Sequence, residues 1–159
     1  MSSAADASVA GRRPERVVVG VDGSLVSRTA LRWAVEHARP GDTVVVAHVW
    51  KRSPAMVDAG FPEGADEPAA RAVVRHEIAH VQALADEAHV ELESLVREGE
   101  AQAVFCDIAA DLLVIGACGR GQIVGRLLGS VSYYLARHCH TPLVIVPLRS
   151  AKGIDPHPG

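Results

Sequence analysis

Glycine occupies positions 116, 119, 121, 125 and 129 of the segment IGACGRGQIVGRLLGSVSYY, residues 115–134, and Ser130 follows the last of them. Glycine tolerates positive φ and lets backbone N–H groups come close to a ligand, which is how loops wrap phosphate. A helix opening at Ser130 would add unpaired N–H groups and the positive end of its dipole, about 0.3 to 1 kcal/mol toward an anion at an exposed site. The Ser130 hydroxyl offers one more donor. Arg120 and Arg126 lie inside the segment and carry the guanidinium fork that suits phosphate oxygens. The bland alternative is an unconstrained linker with both arginines solvated. Ile123, Val124, Leu127 and Leu128 speak against it, because they need somewhere to pack. The spacing is not that of a P-loop, which ends in G-K-[ST], nor that of G-x-G-x-x-G. The chemistry indicated is phosphate binding at Gly116, Gly119, Arg120, Gly129 and Ser130.

Other chemically able residues are scattered. Asp22, in Asp22-Gly23-Ser24, has the types of a turn and helix start, but a carboxylate at the end of a first strand is also placed for a ligand or a metal. The site role is the reading adopted. His138-Cys139-His140 invites a zinc site; adjacent residues on a helix point in different directions, and no fourth ligand is evident. His48 falls in an apolar run, where a hydrogen-bonded histidine is the ordinary outcome. Cys118 lies next to the glycines, and Arg120 with nearby helix N–H groups would lower its pKa and expose it to oxidation. No nucleophile–base pair stands out, so neither catalytic residues nor metal ligands are assigned.

These residues depend on a frame that the pattern of apolar runs supplies. Residues 16–22 (RVVVGVD), 43–50 (TVVVAHVW), 111–116 (DLLVIG) and 142–147 (PLVIVP) are continuous apolar runs of the kind that suit parallel strands covered on both faces. Residues 90–97 complete a set of five. Between them, Ala30, Leu31, Ala34, Val35 and Ala38 form one helical stripe, with Ser24 as N-cap and Pro40-Gly41 as the stop. A second helix starts near Glu67, with Pro68 in its first turn and Val74, Ile78, Val81, Ala85 and Ala88 inward, and ends near His89. Residues 99–110 and 130–140 read as two further helices. Strict alternation of five strands with four helices predicts an α/β domain: an open parallel sheet, right-handed crossovers, helices on both faces. In such a sheet a ligand sits beyond the carboxyl ends of the strands, where the strand order reverses. Residues 51–66, with two prolines and two glycines, read as a long loop acting as a mobile flap over that edge.

Bulk properties bound the function. A chain of 159 residues suits one domain. Residues 16–148 form it, and 1–15 and 149–159 read as flexible tails. A net charge of -3 with interspersed signs gives no stripe for nucleic acid and no polybasic segment for a membrane. Three isolated cysteines do not make a secreted disulfide framework. There is neither an apolar span long enough to cross a bilayer nor a signal-type h-region, and the expected location is the cytoplasm.

The motif Gly116-x2-Gly119-x9-Gly129-Ser130 resembles the nucleotide-binding signature G-x2-G-x9-G-[ST] of the universal stress protein family. VVVGVDGS at 17–24, RTALRWAVEHA at 28–38, VVVAHVW at 44–50 and GSVSYYLARHCHTPLVIVP at 129–147 extend the likeness in order. It implies a Rossmann-like sheet of order 3-2-1-4-5, with ATP held between the first and fourth strands. By position, Asp22 and Val49 would line the adenosine end, Gly116 and Gly119 the ribose and α-phosphate, and Gly119, Gly129, Ser130 and Val131 the phosphates. Val49 rests on the resemblance alone. The chain departs from the family at Cys118, where many members carry a basic residue or histidine, and lacks the proline many members have shortly after Gly99.

The resemblance implies an ATP-binding regulator of the stress response, dimeric through residues 142–147 and acting on a regulatory protein partner that the sequence does not name. At most it would be a weak ATPase, with Mg2+ on Asp22. The rival readings are an AMP-transferring enzyme on the same architecture and a dimeric interaction module that binds no nucleotide. The first would need a Ser/Gly-rich pyrophosphate loop after the first strand, where only Asp22-Gly23-Ser24-Leu25 stands.

Overall fold

Runs of valine set the middle of the molecule. In the computed structural model, which describes residues 12–118 and 128–148, the chain runs β1 (Arg16–Gly20), α1 (Leu25–His37), β2 (Thr43–Trp50), α2 (Pro54–Asp58), α3 (Glu67–Ala88), β3 (Glu91–Glu98), α4 (Ala101–Asp107), β4 (Leu112–Gly116), α5 (Ser130–His138) and β5 (Leu143–Val146). The strands form one sheet of order β3-β2-β1-β4-β5. Every neighbouring pair is parallel, with Val18 opposite Val45 and Leu113 in the two central pairings. This is the doubly wound sheet expected from the sequence, in the expected order.

Alternation along the strands divides the core into two layers. Val17, Val19, Val44 and Val46 face α1 and α3, meeting Ala30, Leu31, Ala34, Val35, Val74 and Val81. Val18, Val45, Ala47 and Leu113 face the other way, onto Phe105 of α4 and Leu135 of α5. Leu31, Leu113 and Leu135 are fully buried, each contributing about 1.5 to 3 kcal/mol.

Glu77 is completely buried on α3, although its charge reads as a surface residue. Both carboxylate oxygens are taken by Arg28 of α1, Nε at 3.1 Å and Nη2 at 2.9 Å, so the pair bolts the two helices together.

Two carboxylates fasten the amino end of the sheet. Asp42 is buried and accepts the N–H groups of Glu15 at 2.8 Å and Arg39 at 2.9 Å. Asp111 accepts the Arg16 N–H at 2.8 Å and pairs with Arg13. The Arg16 N–H, followed by Arg13, holds the Asp111 carboxyl below its ordinary pKa. Residues 12–15, grouped with a tail by composition, are therefore tied to the sheet, and Thr43 N–H donates to the Glu15 carbonyl at 3.0 Å. Residues 1–11 and 149–159, the remainder of the two expected tails, lie outside the described residues.

The stretch 51–66 contains the extra helix α2, which proline and glycine masked in the sequence. Arg52 donates to the Phe61 carbonyl at 3.0 Å and Ser53 N–H to Asp66 at 3.1 Å, so the stretch carries bonds of its own. Among the described residues no helix is long and apolar enough to cross a membrane.

Candidate functional site

The strand order reverses at β1, which pairs with β2 on one side and β4 on the other. From its carboxyl end the chain passes into α1 on one face. From the carboxyl end of β4 it reaches α5 on the opposite face. A crevice between these departures is where an open α/β sheet takes its ligand.

On the β1 side the chain turns within a closed set of hydrogen bonds. Val21 N–H still follows the sheet, donating to Ala47 at 2.8 Å, while His48 Nδ1 meets the Val21 carbonyl at 2.7 Å. That is the hydrogen-bonded histidine the sequence suggests. Gly23 has φ +79, a conformation that favours glycine. The Asp22 side chain accepts the Ser24 N–H at 2.9 Å, Ser24 caps α1 through the Ser27 N–H at 3.2 Å, and the Ser27 hydroxyl donates back to the Ser24 carbonyl at 3.1 Å. The N-terminus of α1 is thus closed by its own side chains, and Asp22 is held half-buried at the lip of the crevice.

The β4 side is finished differently. A Cβ on Gly116 would stand 2.7 Å from Val26 Cγ1 and 3.2 Å from the Val26 backbone carbon. Gly116 lacks a side chain because the first turn of α1 packs against it, which also sets how closely the two lips of the crevice approach. Ala117 remains in the sheet, its N–H donating to Val146 at 2.9 Å. Its carbonyl accepts the Gly129 N–H at 2.7 Å and the buried Ser132 hydroxyl at 2.8 Å. The segment that leaves after Cys118 therefore returns to its own point of departure. Gly129 is the N-cap of α5, and among the described residues no side chain caps that helix. The first-turn N–H groups of a helix have no intrahelical partner, and at α5 they open on the carboxyl edge of the sheet with the positive end of the dipole.

Of the residues singled out in the sequence, Asp22, Gly116, Gly129 and Ser130 stand around this crevice. Val49 and Val131 both pack on the α4/α5 layer, from β2 and from the first turn of α5. Gly119 and Arg120 lie outside the described residues. Ser132 and Val26 were not anticipated. A second serine two positions after Ser130, on a face otherwise apolar, is the signal that could have marked Ser132. Among the described residues no three His, Cys, Asp or Glu side chains gather as a metal site. Cys118 is half-buried beside Gly116.

Residues 14–147 match the Universal stress protein family. Universal stress protein Rv1996 of Mycobacterium tuberculosis is 32% identical over 164 residues, an alignment that takes in 89% of this chain and 50% of that protein. The chain spans about half the length of the curated relatives it matches. A universal stress protein solved in complex with cAMP is 27% identical, with a TM-score of 0.61 over 86% of this chain and 98% of the other. A family member from Arabidopsis thaliana solved with AMP bound shares the fold at 20% identity, with a TM-score of 0.58 over 87% and 94% of the two chains.

Proposed function

The chain belongs to the universal stress protein family, and we propose that it binds ATP in the crevice between β1 and β4 and acts as a nucleotide-dependent regulator. The observation that carries this reading is the contrast across the crevice: α1 is capped by Ser24, while α5 begins at Gly129 with no side-chain cap among the described residues. An anion placed there would meet the N–H groups of the first turn of α5 and the Ser130 hydroxyl. The complexes of related proteins with cAMP and AMP support an adenine nucleotide as the ligand class. Val49 and Asp22 would then receive the adenosine end, with Gly119 and Arg120 completing the phosphate contacts. Mg2+ typically takes one or two carboxylates and fills its remaining positions with phosphate and water, and a single Asp22 at the lip fits that donor set.

In this reading the protein binds rather than turns over its nucleotide, in the cytoplasm. Its second copy pairs through β5, an edge of apolar residues between Pro142 and Pro147, whereas the opposite edge, β3, exposes Glu91, Glu93, Arg97 and Glu98. Denaturing the purified protein and identifying the released nucleotide by mass spectrometry tests the ligand. Release of ATP is expected. Where the protein is purified empty, ATP at a hundred times its Kd should add about 2.7 kcal/mol of stability. No release together with no thermal shift would overturn the reading. Rapid formation of ADP, or of AMP with pyrophosphate, would replace it with an enzyme.

A further inference from the structure

Among the described residues the fold brings two imidazoles together in one place, on the middle of α3. His76 and His80 stand one turn apart and are both exposed, while Val74, Glu77 and Val81 turn the other face of that helix into the core. Their ring centroids are 4.5 Å apart, with the ring planes at 69°. His37 and His138 also lie on helices, but each stacks on an aromatic ring, those of Trp33 and Tyr134.

The separation of the two rings has a chemical meaning. A histidine nitrogen stands about 2.0 to 2.1 Å from a transition metal, which puts the ring centre about 3.2 Å from the ion. Two such rings at a right angle around one ion have centroids about 4.5 Å apart, and a tetrahedral angle opens this to about 5.2 Å. The observed spacing is that of neighbouring ligands on a square or octahedral ion. His80 is also held as a metal-ligating histidine is held, with one nitrogen on a backbone carbonyl. Its Nδ1 lies 2.8 Å from the His76 carbonyl oxygen. A carbonyl only accepts, so Nδ1 carries the proton and Nε2 keeps its lone pair.

The surroundings leave the pair open. Ala72, Ala79 and Ala83, three or four positions from one or other histidine and all exposed, are too short to cover it. Glu77, next to His76 in sequence, is turned inward and taken by Arg28. We propose that His76 and His80 form a two-imidazole site for a divalent nickel or copper ion on the outer face of α3, with water in the remaining positions. These are the ions that combine imidazole ligands with square or tetragonal geometry. Among the described residues no third His, Cys, Asp or Glu joins the pair, so the other positions on the ion stay exchangeable. The proposal does not depend on which ligand the crevice holds.

The test strips the full chain with EDTA and titrates it with Ni2+ and, separately, with Cu2+ in a calorimeter. The tightest site should take one ion per chain. His76→Ala and His80→Ala should each weaken it about 100-fold, the low end of the gain from linking two binding groups. The double variant should fall no further than either single one, and His138→Ala should match the unaltered protein. Unchanged affinity in either single variant, losses that add in the double, or one ion shared by two chains would overturn the proposal. Should a variant fail to fold, diethyl pyrocarbonate labelling of the unaltered protein decides. Ni2+ that shields His76 and His80 together, leaving His37 and His138 reactive, supports the site. Ni2+ that leaves either of the pair reactive refutes it.

Discussion

At the amino end of the sheet two carboxylates take up backbone N–H groups, those of Glu15 and Arg39 on Asp42 and that of Arg16 on Asp111. At the carboxyl end the pattern is reversed at α5, whose first-turn N–H groups meet no capping side chain among the described residues. One end satisfies its own polar groups, and at the other the proposed reading gives the donors to a nucleotide. In that reading the contrast separates what holds the domain together from what would serve a ligand, at the two ends of the same five strands.

The separation can be broken most forcefully at Asp42. Replacing it with alanine leaves two part-buried N–H groups without their acceptor, and urea denaturation should register a loss of about 1 to 3 kcal/mol, with the Kd for ATP unchanged; weakened binding would contradict a division of labour between the ends. Gly116→Ala should be felt in both quantities. Its methyl collides with Val26, so a loss of about 1 to 3 kcal/mol is expected from overpacking, together with weaker nucleotide binding in calorimetry as α1 is displaced. Ser130→Ala should do the opposite of Asp42→Ala. Stability should stay within about 0.5 kcal/mol, while ATP affinity falls about 3- to 10-fold, the value of one lost hydrogen bond; equal affinity would remove Ser130 from the site.

The smallest effect belongs to acid. Because Asp111 titrates below its ordinary value of 3.8 in the folded chain, its contribution is present above that value and is lost as pH falls through the lower, folded one. Stability curves of the unaltered protein and Asp111→Asn should therefore differ near neutrality and converge below about pH 4. Parallel curves throughout would show that the carboxylate contributes nothing through its charge.

Much of the frame was legible because apolar runs of Val, Leu and Ile report their own burial. The 43–50 run became β2 without adjustment, and Ser24 caps α1 as its type and place suggest. The sheet order came from the resemblance, since spacing alone does not say which strands are neighbours. What escaped was held by long-range partners. Glu77 reads as a surface charge until Arg28, 49 positions away, takes both its oxygens. Asp42 and Asp111 sit in connections where an acid ordinarily faces water, and only the assembled strand ends bring N–H groups to them. Gly116 was legible as important but for a different reason: its neighbourhood demands the absence of a side chain on the α1 side, whatever the ligand asks of it. Phe105 and Cys139, 34 positions apart, meet only because α4 and α5 cover one face.

The double use of the Ala117 carbonyl, by Gly129 N–H and by Ser132, has a consequence for how the helix is placed. Both the departure from β4 and the arrival at α5 are clamped to one residue of the sheet, so the start of the helix is fixed by the end of the strand itself. The sheet acts here as a buckle: one carbonyl of its fourth strand's continuation decides where α5 begins.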